Sequence, residues 1–182
     1  MCASRIEAAR AELAAVEYGA LSVERVAESA GVARTTIYRR YPLKQDLVKA
    51  AVLDSMEDTD ELPECDNVVD ELTELAYAVA RNSQRPEGKC IVRMLYGESD
   101  NPEVRELVNE IRRVKVVRPR ELLRRAVARG ELSPDTDGAL ARQIIVATTH
   151  LRTQLLGERL SKAAVRSLVT AALYGVANPA ER

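Results

Sequence analysis

Apolar residues recur at three- and four-residue intervals from one end of the chain to the other. Nowhere does the pattern settle into the period of two that a half-buried strand requires. The sequence therefore predicts an all-α protein of about nine helices. The first covers about 5–18, with Ile6, Ala9, Leu13 and Val16 on one face, and Gly19 ends it. Ser22 caps a second helix whose inward residues are Val23, Val26, Ala27 and Ala30. A short third helix spans about 33–40 around Ile37, and a fourth spans about 44–56 around Leu47, Val48, Ala51 and Val52. An acidic stretch containing Pro63 reads as a boundary. The fifth helix runs over 68–84, with Val69, Leu72, Leu75, Ala76 and Val79 inward, and Pro86 and Gly88 are expected to break it. A sixth runs over 89–96. Asn101 followed by Pro102 starts a seventh, expected to extend to 129 with a kink at Pro119. Asp135 or Asp137 caps an eighth that reaches about 156, and Ser161 caps a ninth that reaches about 176.

Residues 22–44 carry the most chemistry. Gly31 follows the second helix, and glycine takes the left-handed conformation that closes such a turn at little steric cost. Ala27, four residues before Gly31, lets two helices approach closely. Ile37, six residues after it, pins the short helix from inside. This is the physical specification of a helix-turn-helix, whose second helix can enter the major groove. Its outward residues Arg34, Thr35, Thr36, Tyr38 and Arg39 are all hydrogen-bond donors. Arginine can pair with guanine through two bonds, and threonine can touch a base edge or a thymine methyl. Tyr38, Arg40 and Lys44 suit phosphate oxygens, and Ser22 completes the expected DNA-binding set. The plainer reading is a helical hairpin with a solvated polar face.

The same stretch resembles the DNA-binding domain of the TetR family, the tetracycline-repressor-like regulators of bacteria. The resemblance rests on Ala30, Gly31 and Val32, then on the run from Thr36 through Ile37, Tyr38, Arg39, Arg40, Tyr41, Pro42 and Leu43 to Lys44. Arg40 stands where the family often has histidine, and Tyr41 where it usually has phenylalanine. Both replacements keep a cationic donor and an aromatic plug. The resemblance covers about the first quarter of the chain. It implies a DNA-binding domain over 1–46 and a helical ligand-binding and dimerisation domain over 47–182. It also implies a homodimer, and a pocket for a small-molecule effector between helices of residues 68–156. Candidate lining residues are Tyr77, Met94, Tyr96, Ile111, Val114 and His150. Met94 and Ile111 also read as core fillers, Tyr77 as a stacking residue, and His150 as an interface residue.

The last two helices point to self-association independently. Leu140, Ile144, Ala147, Leu151 and Leu155 form one stripe, and Val165, Leu168, Val169, Ala172 and Leu173 form a broad apolar face. Paired across a two-fold axis they would make a four-helix bundle; the alternative is two ordinary core helices. Two recognition helices about 34 Å apart would then read a pseudo-palindrome on one face of DNA.

Composition narrows the function classes. The 182 residues include no Phe or Trp, so the core must be built from aliphatic side chains. A net charge of −1 hides an uneven distribution: residues 54–74 hold acids and no Lys or Arg, whereas the cations of the first quarter cluster after Val32. The acidic block either orients the basic end toward DNA or is a solvated linker. A second basic run, Arg112 to Arg129, is expected to be mostly a solvated face. No apolar run reaches membrane-spanning length, and the expected location is the cytoplasm. Cys2, Cys65 and Cys90 have neither metal nor disulfide spacing. With one histidine, no glycine-rich phosphate loop and no nucleophile elbow, an enzyme, a metal and a cofactor are not expected. The alternative to a DNA-binding regulator is a helical dimer whose helix-turn-helix serves protein contacts. Cations at Arg34, Arg39, Arg40 and Lys44 argue against it.

Overall fold

The computed structural model describes residues 4–55, 65–97, 100–115 and 117–175, and all the regular structure among them is helical. In order these helices are α1 (Arg5–Ala15), α2 (Val23–Ser29), α3 (Arg34–Arg40), α4 (Lys44–Ser55), α5 (Val68–Gln84), α6 (Pro86–Gly97), α7 (Pro102–Lys115), α8 (Val117–Ala128), α9 (Gly138–His150) and α10 (Lys162–Tyr174). A single π-helical turn, Leu151–Leu155, continues α9. The termini follow capping chemistry. Ser4 and Glu7 exchange side-chain-to-backbone bonds in a capping box at α1. Asp137 accepts from Ala139 and Leu140 at α9, and Ser161 accepts from Ala164 at α10.

The chain divides into two compact units: residues 1–57 with 82–114, and residues 58–81 with 115–182. The first unit has two cores that share α4. Leu47 and Ala51 face Ala8, Ala9, Val26, Ala27 and Ile37 in the helix-turn-helix core. Val48 and Val52, on the adjoining positions of α4, pack with Leu13, Tyr18, Met94, Leu107 and Ile111. Polar ties reinforce this packing. Lys49 reaches Glu110 at 2.7 Å, and Arg10 reaches Asp54 at 3.0 Å.

In the second unit Val68, Leu72, Ala76 and Ala80 of α5 pack with Leu122, Leu123 and Ala126 of α8, Ile145 of α9, and Val165 and Val169 of α10. Glu71, buried on α5, accepts from Arg125 at 2.8 Å and from Arg129 at 3.0 Å. Glu131 turns back to accept from the Val68 amide at 2.6 Å, satisfying a donor at the start of α5. Lys162 pairs with Glu74, and Arg166 with Asp70. Asp54, Asp70, Glu71 and Glu74 of the 54–74 block are thus engaged in ion pairs. Arg125 and Arg129 of the second basic run pair with Glu71 rather than standing as a purely solvated face.

Two expectations about elements need correction. The fifth helix does end before Pro86, which begins α6, where its missing N–H costs nothing, but Gly88 breaks nothing and lies inside that helix. A Cβ at Gly88 would stand 1.8 Å from the Asn82 carbonyl oxygen, so the close approach of backbone requires glycine. The expected seventh helix corresponds to α7 and α8, with residue 116 between them outside the described residues, and Pro119 lies within α8. The eighth helix is α-helical only to His150 before the π turn.

Candidate nucleic-acid interface

The turn between α2 and α3 is built as its sequence requires. Gly31 has φ 66°. The Val32 amide donates to the Ala27 carbonyl at 3.0 Å, and the Gly31 amide donates to the Glu28 carbonyl at 3.0 Å. These two bonds close a Schellman motif and satisfy the last carbonyls of α2. Ala27 and Ala30 are buried at the helix crossing, and Ile37, with no exposed surface, anchors α3 against them. With Ile37 inward and Thr36 half-buried, the other five residues of the seven-residue helix are exposed.

Arg34, Thr35, Arg39 and Arg40 are exposed, Tyr38 is 37% exposed, and Thr36 is half-buried. The structure therefore brings these six predicted residues onto one short helix with their polar groups at or near the surface. Arg34 does not hang free. One guanidinium nitrogen lies 2.9 Å from Glu24, and its carbon stands 5.6 Å from the centre of the Tyr38 ring. Glu24 is held ionised: bonds from its own backbone amide and from the Ser22 hydroxyl lower its pKa, with the Arg34 charge adding to them. Ser22 is occupied as the cap of α2, accepting from the Arg25 amide at 3.3 Å and donating to Glu24 at 2.9 Å. Lys44 opens α4. Its ammonium donates to the Gly19 carbonyl at 3.2 Å and lies 4.5 Å from the centre of the Tyr18 ring. Neither Glu24 nor Tyr18 is marked by its local sequence as a partner of the interface. Both contacts join residues ten or more positions apart, which only the folded turn brings together.

The candidate effector residues fall into both units. Met94 and Ile111 are core residues of the first unit, packed in one cluster, while Tyr96 and Val114 are exposed. In the second unit Tyr77 packs at the edge of the core, with Arg81 5.5 Å from the centre of its ring. His150 is buried, and burial lowers its pKa to about 4, so the imidazole is neutral near pH 7.

The candidate dimer residues also separate. Leu140 (51% exposed), Ile144 (39%), Leu151 (48%) and Leu155 (76%) stand in solvent, with Ala147 between them. Leu168, Ala172 and Leu173 are half-buried. Val165 and Val169 are completely buried inside the second unit, so they support the outer face from behind and are withdrawn from it.

Comparison with known proteins agrees with this geometry. Residues 6–51 match the model of bacterial regulatory proteins of the tetR family, and residues 62–172 match that of the tetracyclin repressor-like C-terminal domain. The HTH-type transcriptional regulator YdeS of Bacillus subtilis is 24% identical over 160 residues, covering 87% of this chain and 81% of its own length. The HTH-type transcriptional regulator Rv1556 of Mycobacterium tuberculosis is 31% identical over 121 residues, 64% of this chain; the match spans 57% of that relative. Among solved structures, the fatty acid degradation regulator FadR of Bacillus halodurans superposes with a TM-score of 0.74 at 23% identity, covering 95% of this chain and 98% of that one. The TetR family transcription regulator SCO0332 superposes with a TM-score of 0.68 at 28% identity, covering 96% and 97%. The transcriptional regulator FadR of Bacillus subtilis, solved in complex with stearoyl-CoA, superposes with a TM-score of 0.72 at 24% identity, covering 95% and 98%. With both halves of its architecture matched, the chain belongs to the TetR family of helix-turn-helix transcriptional regulators.

Proposed function

We propose that this regulator is a cytoplasmic homodimer that represses transcription from a pseudo-palindromic operator and is released by a small-molecule effector. Residues 1–46 read DNA, and residues 47–182 bind the effector and dimerise. The observation that carries the reading is α3 itself: pinned by Ile37 and presenting Arg34, Thr35, Tyr38, Arg39 and Arg40 outward. Arg34 and the two threonines face base edges, whereas Tyr38, Arg39, Arg40 and Lys44 meet phosphates. Arg34 is held out by Glu24 and the Tyr38 ring, a solvent-exposed arrangement that contributes little to stability and yields readily to a guanine.

The dimer rests on the outward stripe Leu140, Ile144, Ala147, Leu151 and Leu155, extended by Leu168, Ala172 and Leu173. A contiguous apolar face of this kind on one element is a usual mark of association. The solved complex of Bacillus subtilis FadR, which shares this fold, with stearoyl-CoA supports the existence of an effector for this chain. Such an effector acts only by its preference for one dimer geometry. Moving the population from about 1:99 to 99:1 requires roughly 10⁴-fold tighter binding to the geometry that cannot span both half-sites. Tyr77 and His150, both of the second unit, remain proposed effector contacts, with His150 acting as a neutral hydrogen-bonding group.

Replacement of Arg34 by alanine tests the assignment of base reading. Binding to the selected operator should weaken by about 1–3 kcal/mol, and preference should relax at one position of each half-site. Uniform weakening across all sequences would instead make Arg34 a phosphate contact.

A further inference from the structure

We infer that Tyr18 is a positioning residue for DNA binding: its buried ring aims the Lys44 ammonium at the phosphate backbone. The inference rests on the assignment of Lys44 to a phosphate contact. Lys44 is the first residue of α4. A helix N-terminus carries partial positive charge and disfavours a cation, and a lysine stem is flexible, so nothing in α4 alone would fix this ammonium. Two groups from the turn after α1 do so. The Tyr18 ring lies 4.5 Å from Nζ and offers its negative face, and the Gly19 carbonyl accepts from Nζ at 3.2 Å. The ring itself cannot swing away. Tyr18 is 1% exposed, packed among Val48, Val52, Val104 and Leu107, and its hydroxyl donates to Glu103 at 3.2 Å. Glu103 lies in the first turn of α7. A chain of contacts thus runs from α7 through Tyr18 to a cation on the DNA-binding side of α4, all within the first unit.

The consequence is legible in the salt dependence of binding, which counts phosphate contacts and is indifferent to a uniform loss of folded protein. The probe is a DNA duplex enriched by the protein from a random pool, titrated at several KCl concentrations. Lys44→Ala should lower the slope of log K against log salt by about 0.9 per contact, doubled in a symmetric dimer. Tyr18→Leu should lower it by the same amount and add nothing to Lys44→Ala in the double variant. Tyr18→Phe, which keeps the ring, should retain the full slope. A Tyr18→Leu protein that binds more weakly with the parental slope would overturn the inference, since the ring would then only fill the core. An unchanged slope in Lys44→Ala would overturn it one step earlier, by removing Lys44 from the phosphate contacts. Should Tyr18→Leu fail to fold, the parent protein supplies the test. The ε-methylene protons of Lys44 should show an upfield ring-current shift that persists in the DNA complex, and its loss in the complex would contradict the inference.

Discussion

Replacing Ile37 with alanine should abolish operator binding while removing no atom from the DNA-facing surface. Ile37 has no exposed area and is the buried residue of α3. Removal of a buried isoleucine side chain costs about 2–5 kcal/mol in lost transfer energy and residual cavity. The position matters more than the figure. A seven-residue helix is too short to hold itself together in water, so its conformation depends on packing. The Ile37→Ala chain should keep the helical signal of α5 to α10, show a lower melting temperature in the helix-turn-helix, and lose sequence preference. Circular dichroism and operator titration check both parts. Retention of full operator affinity would mean that α3 is held by something other than this anchor.

Substituting aspartate for Leu151 should convert the dimer into monomers. Leu151 is 48% exposed in the single chain and lies mid-way along the outward stripe. Across a two-fold axis one substitution introduces two carboxylates into one apolar patch, each of which must be desolvated without a partner. The expected result is the monomer mass by light scattering, with secondary structure unchanged because the residue contributes little to the core of its own chain. Operator affinity should fall by orders of magnitude, since each half-site alone offers too few contacts. A stable Leu151→Asp dimer would move the interface away from α9.

The sequence was most readable where one residue type has one physical use. Gly31 with its positive φ, the caps Ser22, Asp137 and Ser161, and the inward Ile37 all stand where spacing put them. Readability failed where an outcome depends on approach between distant segments. Gly88 looked like a helix breaker because its purpose, room for the Asn82 carbonyl, is not a local property. Val165 and Val169 share periodicity with outward neighbours on α10. Which side of a broad apolar face meets α5 and α8 is decided by packing, not by period. The acidic block read as a repulsive field or a linker because its partners Arg125, Arg129, Lys162 and Arg166 lie far along the chain. The same limit concealed Tyr18 beneath Lys44 and Glu24 beside Arg34. Patterning thus specified the helix-turn-helix almost completely. It could not assign the effector residues, because Met94 and Ile111 have the burial and chemistry of ordinary core.

The central claim is that two copies of this chain read DNA together through α3. Selection of bound duplexes from a random-sequence pool at moderate salt, followed by sequencing, tests it most directly. Enrichment of a pseudo-palindrome whose half-site centres lie about one helical turn, or a multiple of it, apart is the expected result. Folded, dimeric protein that enriches no sequence would contradict the claim.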